Sequence, residues 1–197
     1  MLILASTSPR RQELLRSAGI EFVVRAPADV SEVPRQGELP TDLTRRLAGD
    51  KARSIWSGLD RTARQRDVVL GADTVVVVGQ EILGKPRDAA DAARMLRLLS
   101  GSSHEVITGV CLMGMNRQTG AEFEDVAKQS SSVVFEPMTE REISEYVASG
   151  EPADKAGAYA IQGIASRWIS RVEGDYSNVV GLPVQLVYRM LRARGAV

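Results

Sequence analysis

Leu2-Ile3-Leu4-Ala5-Ser6-Thr7-Ser8-Pro9-Arg10-Arg11 opens the chain and runs on into Gln12-Glu13-Leu14-Leu15-Arg16-Ser17-Ala18-Gly19. A short apolar run to Ala5 reads as a buried strand, and the spacing after Pro9 predicts a helix to Ala18 with Gly19 as its stop. Ser8 suits the N-cap, and Pro9 suits the first helical position because it has no N–H to leave unpaired. Arg10 and Arg11 then face the positive end of the helix dipole, which costs about 0.3–1 kcal/mol per cation unless an anion lies nearby. A phosphate would reverse that sign, since backbone N–H groups, hydroxyls and guanidinium forks converge where the strand gives way to the helix. A helix cap followed by solvated arginines is the alternative reading.

Working outward, short β-branched runs alternate with amphipathic segments, the pattern of an α/β fold. A strand is expected at Glu21 to Val24, followed by a polar loop bracketed by Pro27, Pro34, Gly37 and Pro40. Thr41 begins a helix to Trp56 that presents Leu43, Leu47 and Ala48 on one face and carries Lys51. Val68 to Ala72 reads as a strand buried on both faces; Asp73 interrupts it and Thr74 to Val78 resumes it. Asp88 caps a helix to Leu99, and Val106 to Met115 with Ala127 to Phe135 predicts a long hairpin across Asn116 to Gly120. Thr139 with Glu142 forms a capping box for a helix ending before Gly150, and the last helix follows Pro183. No repeat or linker divides the 197 residues, so one domain over 1–197 is expected.

Composition narrows the function. With 25 basic and 25 acidic residues the formal charge is zero, which gives no bulk attraction to nucleic acid or to an anionic membrane. Phosphate recognition must then come from a local cluster, which favours a small ligand. The single cysteine, Cys111, excludes an intramolecular disulfide and reads as a buried hydrophobe. Neither a signal-peptide pattern nor an apolar run of membrane length is present, and a cytoplasmic protein is the expectation.

Asp73 is the strongest candidate for a catalytic carboxylate, because its flanks place an ionised group beside a buried strand, where it needs a cation, a metal or hydrogen bonds. A cap at a bend between strands is the alternative. Glu32, in the proline-bounded loop, is a second carboxylate able to join it around a metal. Lys85 follows Gly84 and precedes Pro86, which holds it extended, and Lys51 offers another cation. Either lysine alone reads as a solvated surface group, and the case for a site rests on their convergence. Asp154 to Gly163 is too rich in small residues for a core helix and suits a loop approaching a planar ligand. Gln162 carries an amide that can both donate and accept at a base edge, and Tyr159 can pack or hydrogen-bond there. Gly174 to Pro183 reads as a shaped loop, with Asp175 and Ser177 as turn and cap. His104, the only histidine, leaves little for a histidine triad or a zinc site and reads as structural. P-loop and dinucleotide fingerprints are absent.

Ala5-Ser6 with Ser8-Pro9-Arg10-Arg11, Lys51-Ala52, Gly71-Ala72-Asp73-Thr74-Val75, Gly84-Lys85-Pro86, Ala156 to Gly163 and Gly174 to Pro183 together resemble the Maf family of nucleoside triphosphate pyrophosphatases. The resemblance runs through nearly the whole chain. It implies a long mixed sheet flanked by helices, two lobes with a nucleotide cleft, and a fold similar to the inosine triphosphate pyrophosphatases. It further implies hydrolysis of a nucleoside triphosphate to monophosphate and pyrophosphate with a divalent metal, magnesium or manganese. Carried over by position, Asp73 accepts the proton of the water that attacks the α-phosphorus; Ser6, Arg10, Arg11, Lys51 and Lys85 hold the phosphates; Glu32 and Asp73 hold the metal. Arg11, Thr74 and Gln162 occupy positions that the family associates with substrate choice. The loop Ala158 to Gly163 looks like the branch that prefers dTTP and UTP. A 7-methyl-GTP pyrophosphatase, or a nucleotide-binding regulator of cell division without turnover, are the alternatives. A homodimer is expected from the resemblance alone.

Overall fold

The computed structural model describes residues 1–28, 30–116 and 118–197. Among these, the strands β1 (Leu2–Leu4), β2 (Phe22–Val24), β3 (Val68–Val78), β4 (Glu81–Leu83), β5 (Ser103–Met115), β6 (Glu122–Phe135) and β7 (Ile169–Glu173) form one sheet. Its order is β2-β1-β3-β5-β6-β7, with β4 paired to β3 off that path. The sheet is mixed. β1 runs parallel to both β2 and β3, with Leu2 opposite Phe22 and Val68, while β3–β4 and β6–β7 are antiparallel. The helices are α1 (Pro9–Ser17), α2 (Pro40–Ser57), α3 (Arg61–Arg66), α4 (Ala89–Leu99), α5 (Glu140–Ala148), α6 (Tyr176–Val180) and α7 (Val184–Ala193).

The chain forms two compact units: residues 1–73, 108–129 and 181–197, and residues 74–107 and 130–180. In the first, strand alternation sorts the core onto two faces. Leu2, Leu4, Leu70, Ala72 and Leu112 pack with Leu15 of α1 and with Leu186, Val187 and Leu191 of α7. Ile3, Ala5, Val69 and Cys111 pack with Ala48, Ala52, Ile55 and Trp56 of α2. Two glycines set how close α2 comes. A Cβ at Gly71 would overlap the Ala48 carbonyl and lie 2.9 Å from the Ala52 nitrogen, and one at Gly109 would overlap the Thr44 carbonyl. The helix backbone therefore lies directly on β3 and β5, which brings Lys51 to the level of Asp73.

In the second unit Asp88 caps α4 by accepting from the Asp91 N–H at 2.8 Å. Thr139 and Glu142 complete the capping box of α5. Asp175 caps α6, its Oδ1 accepting from the N–H groups of Ser177 and Asn178. His104, Phe135 and Tyr159 stack edge to face with centroids 4.9–5.3 Å apart.

Three expectations need correction. Ser8 makes no side-chain cap on α1; its own N–H donates to Ser6 Oγ at 3.2 Å, so the preceding serine organises the turn. Asp73 does not interrupt the strand: β3 runs unbroken from Val68 to Val78, because a carboxylate with an ammonium partner can occupy a buried strand position without a bend. The hairpin strands are longer than the apolar runs suggested, as polar residues at both ends join the ladder. Of the expected turn Asn116 to Gly120, Arg117 lies outside the described residues.

Candidate active site

Ser6 follows β1 and is buried, and its Oγ accepts from the Ser8 N–H and from Arg11 Nη1 at 3.2 Å each. Arg11, in the first turn of α1, is turned inward: Nη1 also donates to the Ala72 carbonyl at 3.0 Å and Nε to the Gly181 carbonyl at 2.8 Å. These carbonyls offset the unfavourable helix dipole that the sequence implied for this cation. Burial lowers the Arg11 pKa, and Asp73 opposes that shift. Arg10 lies half-buried beside it on the same turn.

Lys51 is the hub of the site. Its Nζ donates to Asp73 Oδ1 at 2.6 Å and to Glu32 Oε1 at 2.7 Å. The Asp73 and Lys51 side chains are only 10% and 13% exposed, whereas that of Glu32 is 55% exposed. Burial pushes the Asp73 carboxyl above the ordinary carboxylate range, against the downward pull of Lys51 and Arg11 and with a further upward push from Glu32. A carboxylate raised in this way holds a proton more readily than a solvated one, which is what a general base requires. The first unit thus brings together Ser6, Arg11, Glu32, Lys51 and Asp73, with Arg10 alongside.

The second unit holds the other expected residues. Thr74 follows Asp73 in β3 and is half-buried. Lys85 is exposed just beyond β4, where the Gly84 carbonyl accepts from the Gly157 N–H at 3.0 Å and ties this segment to the loop that follows α5. In that loop Gly157 and Ala158 both have positive φ, 68° and 59°, and Gln162 stands exposed in a turn. Tyr159 is buried, and its hydroxyl meets His104 Nε2 at 2.8 Å. Sequence reasoning also missed the Ala72 and Gly181 carbonyls that orient Arg11, since backbone acceptors leave no residue-type signal. The sequence offered one hint, a glycine at 181 inside the shaped loop Gly174 to Pro183, and its φ in the structure is 129°.

Divalent-metal chemistry can be tested on the donors present. Among the described residues no cluster of three or more histidine, cysteine or carboxylate side chains exists. The two carboxylates that converge on Lys51 are hard oxygen donors, and one or two carboxylates plus substrate phosphates is the usual magnesium arrangement. The residues fit such an ion. Among the described residues no helix is long and apolar enough to cross a membrane.

Comparison with known proteins agrees with the motifs. The family model described as Maf-like protein matches residues 1–194. A dTTP/UTP pyrophosphatase of Koribacter versatilis is 52% identical over 194 residues, covering 98% of this chain and 94% of the relative. A dTTP/UTP pyrophosphatase of Geobacter sulfurreducens is 52% identical over 195 residues, covering 99% and 97%, and one of Symbiobacterium thermophilum is 50% identical over 194 residues, covering 98% and 94%. With a model matched from end to end and relatives this similar over nearly their whole length, the chain belongs to the Maf family.

Proposed function

We propose that this chain is a nucleoside triphosphate pyrophosphatase that hydrolyses dTTP and UTP to the monophosphate and pyrophosphate. The observation that carries the reading is the buried Asp73 carboxylate held 2.6 Å from Lys51, beside the Ser6–Arg11 pair. Asp73 takes a proton from water as the water oxygen bonds to the α-phosphorus, and the bond from that phosphorus to the bridging oxygen of the β-phosphate breaks. Pyrophosphate leaves with the electron pair. Ser6, Arg10, Arg11, Lys51 and Lys85 hold and neutralise the phosphates as negative charge builds on the leaving group. Glu32 and Asp73 would hold a magnesium or manganese ion, which would supply polarisation of phosphate oxygens and a lowered pKa of water. Gln162 reads the base, its amide matching both a carbonyl and the imide N–H of thymine or uracil, and Arg11 and Thr74 add to substrate choice. Residues 1–197 act as one pyrophosphatase domain, which works in the cytoplasm as a homodimer. The names and near-complete overlap of the relatives support the substrate pair.

The test is pyrophosphate release from dTTP, UTP, CTP, 7-methyl-GTP and the ordinary purine triphosphates, with magnesium or manganese and after chelation, for the wild type and Asp73→Asn. Turnover of dTTP and UTP, abolished by chelation and in the variant, is expected. Preference for 7-methyl-GTP would move the chain to the sister specificity, and tight binding without turnover would make it a regulator.

A further inference from the structure

Gln162 is exposed, and an exposed amide reads a base with discrimination only if its backbone is fixed. The backbone on both sides of it is fixed by one pair of side chains. Two residues before it, the Ala160 N–H donates to Tyr146 Oη at 3.2 Å. Two residues after it, the Ile164 N–H donates to both Glu151 carboxylate oxygens, at 3.0 and 3.1 Å. The pair is joined, since Tyr146 Oη donates to Glu151 Oε1 at 2.7 Å. Tyr146 is 2% exposed on α5, with its ring tilted against Trp168 at 5.5 Å. Glu151 packs against the loop so closely that a Cβ at Gly163 would overlap its carboxylate. Burial and the Glu151 carboxylate raise the phenol pKa, so the hydroxyl stays protonated and serves as acceptor and donor at once. Ordinary core packing needs neither a carboxylate bridging to a loop amide nor a glycine that makes room for it.

We propose that Tyr146 and Glu151 are positioning residues which clamp the 160–164 backbone from both sides and so set the base selectivity exerted through Gln162. The inference rests on the proposed reading of Gln162. It explains why the loop after α5 is held by a buried phenol and a partly buried carboxylate, and it assigns a role to two residues that no sequence motif singled out.

The experiment compares kcat and KM for dTTP, UTP and CTP in the wild type, Gln162→Ala, Tyr146→Phe, Glu151→Gln and the double variant Gln162→Ala/Tyr146→Phe, with hydrogen exchange of the Ala160 and Ile164 amides in the nucleotide-free protein. Tyr146→Phe keeps the ring and removes the hydroxyl; Glu151→Gln keeps an acceptor for Tyr146 and serves as the conservative variant if the first is poorly folded. The expected result is loss of amide protection, a rise of about 3- to 10-fold in KM for dTTP and UTP with kcat changed less than about twofold, and a narrowed preference over CTP. In the Gln162→Ala background Tyr146→Phe should add nothing to the loss of selectivity, because both act through one amide. Unchanged selectivity in Tyr146→Phe and Glu151→Gln beside a lowered one in Gln162→Ala overturns the inference and leaves the reading of Gln162 standing. Additive losses in the double variant also overturn it. Unchanged selectivity in Gln162→Ala overturns that reading and the inference with it.

Discussion

His104 makes the stability of this protein depend on pH in a calculable way. It is 3% exposed, its Nε2 meets Tyr159 Oη, its Nδ1 has no hydrogen-bond partner among the described residues, and burial lowers its pKa to about 4. An unfolded histidine titrates near 6.5, so below that pH the unfolded chain binds a proton that the folded chain refuses. Stability therefore falls as pH drops from about 6.5 towards about 4, then levels off. The full effect is about 2.5 pKa units at about 1.4 kcal/mol each, or on the order of 3 kcal/mol, of which about 2 kcal/mol is lost between about pH 7.5 and about pH 5. Asp73, whose folded pKa is raised, contributes with the opposite sign, gaining stability as it protonates. The difference between the wild type and His104→Gln isolates the histidine. Urea unfolding of both at the two pH values should show the wild type losing about 2 kcal/mol more than the variant. Equal pH dependence would refute the reasoning and show that the folded protein accommodates an imidazolium.

Further outcomes follow from the same geometry. Lys51→Met removes the strongest downward pull on Asp73, so the acidic limb of the kcat/KM profile should move to higher pH while the rate falls; an unmoved limb would separate Asp73 from that ionisation. Gly71→Ala forces α2 away from β3 and should cost about 1–3 kcal/mol in urea unfolding, with loss of activity as Lys51 is displaced. Cys111 is buried and its thiol pKa is pushed up to about 12, so a thiol reagent at mildly alkaline pH should label it only after denaturant is added.

What was legible in the sequence is what periodicity and capping chemistry encode. The strand–turn–helix at the N-terminus, the Leu43–Leu47–Ala48 face of α2, the Asp88 and Thr139 caps and the Asp175 turn all stand where residue type placed them. Elements without a readable period were missed. β4 is three residues long, α3 buries no residue, and β7 alternates too weakly to stand out. At the candidate site, the sequence marked the side chains placed at an obvious physical cost, Asp73 and Arg11 above all. Residues whose importance comes from hydrogen bonds to backbone, such as Tyr146 and Glu151, were not, because a tyrosine on a helix and a glutamate in a loop look alike whether they clamp a neighbouring segment or face water.

The two carboxylates on Lys51 are not equivalent, and the difference orders events at the site. An ion pair to the half-exposed Glu32 is worth about 0–1 kcal/mol, because water competes for that carboxylate. Breaking the pair with Asp73, which is buried on β3, strands a charge in a poorly solvated place and costs about 3–5 kcal/mol. On the proposed reading, in which Lys51 holds phosphate, Glu32 is released first and Asp73 stays held until phosphate charge replaces the carboxylate as the partner of the ammonium. Loss of that ammonium raises the affinity of Asp73 for a proton further. The same displacement therefore strengthens Asp73 in its proposed role as base. This coupling requires Lys51 on a helix seated without Cβ atoms in between, which is why Gly71 stands two residues before Asp73 in the strand that carries both.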